Sequence, residues 1–235
     1  MAELFIELFS EEIPAKLQID ARQKIKQIIE ERLQKKEIKF NSSNSFSTPQ
    51  RLVFVIDGIP EKIEKKKKVI KGPKVDAPQT ALEGFIKSNN LTRQDIYKKN
   101  IEKGEFYFAD SKPKEIDILK ELQSIIPEAI QSYSWKKSMK WSAYDLNWGR
   151  PLKSIITLFK NKVVNFNFFH IQSSNTTVID EKNFDKIKKV NSFKSYLSIL
   201  KSQNIILDHE KRKKIIVGKM NNICKTRKLK NNFNE

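Results

Sequence analysis

Two tryptophans six residues apart, with three lysines between them, form Trp135-Lys136-Lys137-Ser138-Met139-Lys140-Trp141, and Trp148-Gly149-Arg150-Pro151-Leu152 follows closely. Cations interleaved with large flat rings suit a surface that meets an anionic polymer or a partner protein. The same pattern also suits a loop whose tryptophans anchor in a core and whose lysines are solvated. Glu7, Glu11 and Glu12 put one carboxylate on a strand and two near a helix start. Acid/base work is one reading of them; charges that complement a helix dipole are the ordinary one. His170 and His209 are the only histidines, neither lies near a second ligand at metal spacing, and nothing around them suggests a triad. Six glycines leave no glycine-rich loop for nucleotide phosphates. Cys224 has no neighbouring base or partner that would make it a nucleophile. These residues argue against a self-contained catalytic site, so no catalytic or metal-ligating residue is assigned.

The elements that would position these groups follow from periodicity. Residues 2–9 alternate as a strand, with Leu4, Ile6 and Leu8 on one side and Phe5 and Phe9 on the other. Both faces are apolar apart from Glu3 and Glu7, which predicts a central strand. Pro14 suits the first turn of a helix over about 14–36, whose apolar stripe is Leu17, Ala21, Ile25, Ile28, Ile29 and Leu33. Residues 38–47 and 51–58 read as strands broken at Pro49. Residues 61–75 read as a basic connector, with Lys65 to Lys68 in a row on an edge strand or solvated loop. A helix over 77–89, a short helix from 91, and a strand after Lys103-Gly104 come next. The helical region 114–131 should kink or restart at Pro127. Residues 152–159 and 162–171 read as a strand pair. Helical patterns occupy 192–202 and 208–223, and the basic residues from Cys224 should be frayed. The expected architecture is α+β: a mixed or antiparallel sheet with packed helices over 1–180, a short helical segment over 181–223, and a disordered basic tail over 224–235.

The 235 residues are enough for a real core, with 38% hydrophobic and 10% aromatic side chains. The net charge of +18 points to an acidic partner, nucleic acid first. Abundant lysine, asparagine and isoleucine fit AT-rich codon usage, which discounts that charge. It is unevenly spread: residues 1–60 carry nine basic and nine acidic side chains, while 181–235 carry fifteen and five. One cysteine permits no disulfide framework, and no secretory signal or continuous membrane-length apolar run is evident. The expectation is a soluble cytoplasmic protein without membrane contact.

A set of motifs in fixed order carries more than any one of them. They are Glu7-Leu8-Phe9-Ser10-Glu11-Glu12-Ile13-Pro14, Thr48-Pro49-Gln50-Arg51-Leu52, Gly72-Pro73, Ala81-Leu82-Glu83-Gly84-Phe85, Lys103-Gly104-Glu105-Phe106-Tyr107, the Trp135–Trp141 stretch, and Arg150-Pro151-Leu152. Tyr196, Leu200, Asp208 and Arg212 fit a following helical segment more loosely. Together, over about 1–215, they resemble the N-terminal part of the beta subunit of bacterial heterotetrameric glycyl-tRNA synthetase. Gln50, Lys136 and Lys140 stand where that family has arginine, proline and arginine. The family's Gly-His-Arg-Phe is absent near Thr176-Thr177, so no role passes from it. The family's chain continues to an HD-like and an anticodon-binding domain, so a fragment, or a subunit with its remainder encoded elsewhere, is expected.

The resemblance implies a ligase subunit without its own active site. It implies that the alpha subunit activates glycine with ATP and magnesium, and that this chain holds no cofactor. The implied partners are the alpha subunit, in an alpha2beta2 assembly, and tRNA(Gly). Lys136, Lys137, Lys140, Arg150 and Arg51 are the candidate RNA contacts, through attraction to phosphates. Pro14, Pro49, Trp135, Trp141 and Pro151 are the structural motif residues. The tryptophans either pack beneath the lysines or stack on a base. The alternative is a stand-alone basic RNA-binding or assembly module, or a remnant, without aminoacylation activity.

Overall fold

In the computed structural model, residues 2–65, 69–101, 104–110, 114–141, 143–179 and 186–230 are described. The doubly apolar alternation of the first residues makes strand β1 (Ala2–Ser10), with Leu4, Phe5, Ile6 and Phe9 all fully buried. Helix α1 (Ala15–Lys35) starts immediately after Pro14, which stands at its N-cap rather than inside its first turn. Its Ala21, Ile25, Ile29 and Leu33 form the buried stripe. A hairpin of β2 (Ser42–Thr48) and β3 (Arg51–Ile59) turns at Pro49-Gln50.

Residues Lys62–Asp117 form a compact unit of their own, inserted in the first, which comprises Met1–Glu61 and Ile118–Glu235. The basic connector expected there contains two strands, β4 (Lys62–Lys65) and β5 (Val69–Lys74); Lys66, Lys67 and Lys68 lie outside the described residues. Helix α2 (Gln79–Ser88) follows. The expected short helix is a single 3-10 turn, Arg93–Asp95, and gives way to β6 (Ile96–Ile101) and β7 (Gly104–Asp110). β5 and β6 flank β7 in an antiparallel sheet, and β8 (Lys114–Asp117) pairs with β4. Gly72 lies against the Phe85 ring: a Cβ at Gly72 would come within 2.9 Å of it. Two of the ordered motifs thus meet inside this unit.

Helix α3 (Ile118–Ser132) runs through Pro127 without the expected restart. Proline removes one helical hydrogen bond, at a cost of about 3 kcal/mol. Leu122, Ile125, Ile126, Ala129 and Ile130 are buried on either side of it. Each large apolar side chain buried contributes roughly 1.5–3 kcal/mol, so packing outweighs the break. The short strands β9 (Met139–Lys140) and β10 (Asn147–Trp148) pair with each other and lead into β11 (Leu152–Phe159). Lys160 and Asn161 both have positive φ, and the chain returns as β12 (Lys162–Val163). The single strand expected over 162–171 is divided between β12, β13 (Asn167–Phe168) and β14 (Ile171–Ser174). β15 (Thr176–Val178) and β16 (Ile187–Lys189) form a separate ribbon. Helix α4 (Phe193–Ser202) precedes α5 (His209–Thr226), which runs past its expected end and includes Cys224. The last residues of the expected tail, and the boundary expected at 180, lie outside the described residues.

The main sheet has the order β13-β14-β11-β1-β3-β2, with β12 on β11; it is antiparallel except between β11 and β14. β1 is central, with Leu8 opposite both Leu52 and Ile155. One sheet face carries Phe5, Val53, Val55, Ile156 and Leu158 and is covered by Tyr196 and Leu200 of α4. On the other side α1 packs against β2, β3 and α3. The α+β class holds, with a mixed sheet and packed helices.

Pro127→Ala tests the balance in α3. It restores the missing N–H without disturbing the buried stripe, so the urea midpoint should rise, by about 1–3 kcal/mol of unfolding free energy. An unchanged or lower midpoint would show that Pro127 is held by something other than tolerance.

Candidate functional site

The first, second and last of the ordered motifs in the body meet at one end of β1. Ser10 N–H donates to the Gln50 carbonyl (2.8 Å), Ile13 N–H to that of Pro49 (2.7 Å), and Glu11 N–H to that of Pro151 (3.0 Å). Pro49 and Pro151 lack an N–H and present carbonyl oxygens, while Pro14 ends the loop and opens α1.

Behind this corner lies a buried charge. Arg51 and Glu7 are both fully buried, with Arg51 Nε 3.1 Å from Glu7 Oε1. The same oxygen accepts from the Tyr196 hydroxyl (2.6 Å) and the Thr177 hydroxyl (3.0 Å). Arg51 also donates through Nη2 to the Val178 carbonyl, and its guanidinium lies 4.7 Å from the Phe9 ring centroid. Burial pushes the Glu7 carboxyl above its ordinary value, and the Arg51 charge and the three donors oppose that rise. Burial, then the Glu7 charge, push the Tyr196 phenol far up, so it stays a neutral donor. With all three side chains at zero exposure, this arrangement ties elements together and offers no atom to a substrate.

The tryptophan–lysine stretch leaves α3 on the far side of Tyr133. Trp135 is buried edge-on between Tyr133 (5.0 Å between centroids) and Trp148 (4.9 Å). Gly149 lies so close that any Cβ there would overlap the Trp135 ring. Trp141 is half-buried, with Lys153 Nζ 4.0 Å from its ring centroid and 3.0 Å from Glu11. The tryptophans are packing anchors. The lysines are exposed but unequal. Lys136 lies 3.7 Å from Asp20, and Lys140 lies 3.0 Å from Asp145. Asp20 also accepts from Tyr133 (2.8 Å); hydrogen bonds from Lys24 and then Tyr133 hold its carboxyl below the usual range. Lys137 has no partner among the described residues. Arg150 is half-buried and donates to the Gly149 carbonyl (3.0 Å).

A family model described as glycyl-tRNA synthetase beta subunit matches residues 4–235. The chain belongs to that family. It is similar to the glycine–tRNA ligase beta subunit of Rickettsia peacockii (strain Rustic), 36% identical over 216 residues, covering 92% of this chain and 32% of that one. The same subunit of Rickettsia felis (strain ATCC VR-1525 / URRWXCal2) is 35% identical over 231 residues, covering 97% and 35%. The chain thus spans about a third of the length of the curated relatives it matches.

Within this beta-subunit family chain, the ordered motifs serve the fold. Tyr196 closes the buried network, Leu200 is core, and Asp208 accepts from the N–H groups of Glu210 and Lys211 as the α5 N-cap. Arg212 fastens α5 to β2 through the Ser47 carbonyl (3.1 Å). Arg51 needs correction as an RNA contact: its zero exposure withdraws it from any surface, because its charge is required inside to match Glu7. Glu7 is likewise no capping charge, since it lies mid-strand and fully buried. Thr177 and Tyr196 carry no sequence signal of partnership, but an ionisable residue in a strand apolar on both faces is a signal that Glu7 needs a buried cation. Glu11 and Glu12 do not join it, and Glu11 pairs with Lys153. His170 stacks on Tyr144, with centroids 3.5 Å apart. Burial lowers the pKa of His209. Among the described residues no group of three His, Cys, Asp or Glu is placed to hold a metal, and no helix is long and apolar enough to cross a membrane.

Removing either member of the buried pair should cost about 3–5 kcal/mol, and the double variant Glu7→Ala/Arg51→Ala far less than the sum of the two. Urea unfolding of the three variants checks this; additive losses would refute the coupling. The pH dependence has a definite sign. Because Glu7 is shifted upward, its contribution is fully present below the ordinary carboxylate value and is lost as pH rises through the folded value. Stability measured against Glu7→Gln should therefore decline over that window. Gly149→Ala should cost about 1–3 kcal/mol and alter tryptophan fluorescence, as Trp135 is forced off its site. An unchanged spectrum would contradict the packing described.

Proposed function

We propose that this chain acts as part of the beta subunit of a glycine–tRNA ligase, supporting ATP-dependent attachment of glycine to tRNA(Gly) through subunit assembly and tRNA binding. The observation that carries the reading is the family match across residues 4–235. The chemistry is assigned to the alpha subunit, with ATP and magnesium bound there, in a heterotetramer in the cytoplasm. The charge-neutral first 60 residues are the protein-facing part. The exposed lysines of the Trp135–Trp141 stretch supply phosphate contacts. Lys137 ranks first because its charge is uncompensated among the described residues, whereas Asp20 and Asp145 partly neutralise Lys136 and Lys140.

Titration of tRNA(Gly) with this chain and the alpha subunit, at two salt concentrations, tests the reading. Lys136, Lys137 and Lys140 changed together to Ala should weaken binding and flatten the salt dependence by up to about 0.9 for each phosphate left unneutralised. Lys137→Ala alone should account for the largest share. Unaltered affinity and slope in the triple variant would end the RNA-contact assignment. Glycine attachment independent of this chain, with RNA binding intact, would favour the stand-alone module.

A further inference from the structure

The inserted unit has an open cleft of about 510 Å³, within the range of small-ligand sites. Every residue lining it lies within 62–117, and none is acidic. Gln79 and Leu82 come from α2, Arg93 from the 3-10 turn, and Ile96, Lys98 and Tyr107 from the β6–β7 pair.

Register decides what the sheet presents there. Lys98 is directly opposite Tyr107, so both side chains share one face, while Phe106 and Phe108 take the other. The Lys98 ammonium lies 6.0 Å from the Tyr107 ring centroid. On the opposite face the Lys71 charge is spent on the Phe106 ring, 3.7 Å away, and elsewhere in the unit Lys62 pairs with Glu115. Arg93 and Lys98 differ: both are exposed, and neither has an ion-pair partner among the described residues. Asp95, the acidic residue nearest Arg93 in sequence, accepts from the Thr92 N–H and hydroxyl, each at 2.7 Å. The unit as a whole holds fourteen basic and nine acidic residues.

A ligand for this cleft needs a flat apolar face for Tyr107, Leu82 and Ile96, and negative charge for Arg93 and Lys98. A nucleotide has both, and the exposed Gln79 amide offers the donor and acceptor that read a base edge. We propose that the cleft seats an unpaired nucleotide of RNA, which deepens the tRNA-binding reading above and rests on it. An acidic peptide would satisfy the two cations but leave the aromatic and aliphatic surface unused. Stacking on an aromatic ring, unlike phosphate attraction, requires the base to be out of its helix.

The test uses this chain with the alpha subunit and a fluorescein-labelled single-stranded oligouridylate of about eight nucleotides, a length typical of one such site. Tyr107→Leu should weaken binding about ten-fold, and Tyr107→Phe, which keeps the ring, should not. Arg93→Ala/Lys98→Ala, both at exposed positions, should reduce the salt slope by about 1.4. A blunt-ended RNA duplex should bind all variants alike. Circular dichroism melts confirm that each variant is folded, and the double variant keeps the test decisive should Tyr107→Leu unfold. Oligouridylate affinity and salt slope unchanged in the folded variants would overturn the proposal, as would displacement of the RNA by a polyglutamate peptide at equal charge. If the unsubstituted protein binds no tRNA(Gly) at all, the functional reading fails; if tRNA binds and only the cleft variants are silent, the cleft alone is refuted.

Discussion

A carboxylate in the middle of a sheet cannot stay ionised without a cation beside it, and the body of this protein is arranged around that constraint. Glu7 sits on the central strand with zero exposure, and Arg51 enters from the adjacent strand to meet it. A lone buried charge costs several kcal/mol, so neither residue is stable there without the other. Thr177 and Tyr196 complete the shell of donors from positions 170 and 189 residues away in sequence. The requirement for those hydrogen bonds places β15 and α4 on the sheet face where Phe5, Val53 and Ile156 need an apolar cover. One electrostatic demand and one hydrophobic demand thus select the same packing.

This arrangement gives the ordered motifs a physical meaning. Ser10 to Pro14, Pro49 to Arg51 and Arg150 to Leu152 are bound to each other through backbone groups at one corner of the sheet. Trp135 and Trp148 are held edge to face, and Gly149 is small because the Trp135 ring occupies the space beside it. Motifs of this kind mark membership of the beta-subunit family by the fold they build. The groups proposed for recognition are Lys137 on the body, and Arg93, Lys98 and Tyr107 on the inserted unit. Charge alone is a poor guide to them, because other lysines of the same two units already face carboxylates or rings.

Much of the fold is legible in the chain. β1, α1 and β11 follow from apolar periodicity, and the positions of α4 and α5 from apolar residues at helical spacing. The failures have physical causes. Local propensity allows a restart at Pro127 that the continuous helix does not make, because propensity takes no account of the buried stripe on either side. Periodicity makes 162–171 one strand, although the region is divided into short strands, with Phe169, a non-glycine residue at positive φ, between two of them. The strand β6 is hidden because its pattern, Ile96-Tyr97-Lys98-Lys99-Asn100-Ile101, is mostly exposed and therefore weakly periodic.

The α+β class, the central place of β1 and the family are all readable along the chain, since each depends on local pattern or ordered motif. Which charged residues face solvent depends on the assembled fold. Arg51 and Lys137 read alike as cations along the chain, yet one is enclosed with a carboxylate and the other is exposed. The difference arises because burial is set by partners far away in sequence, and a side chain's surroundings do not exist until the strands and helices that supply them have come together.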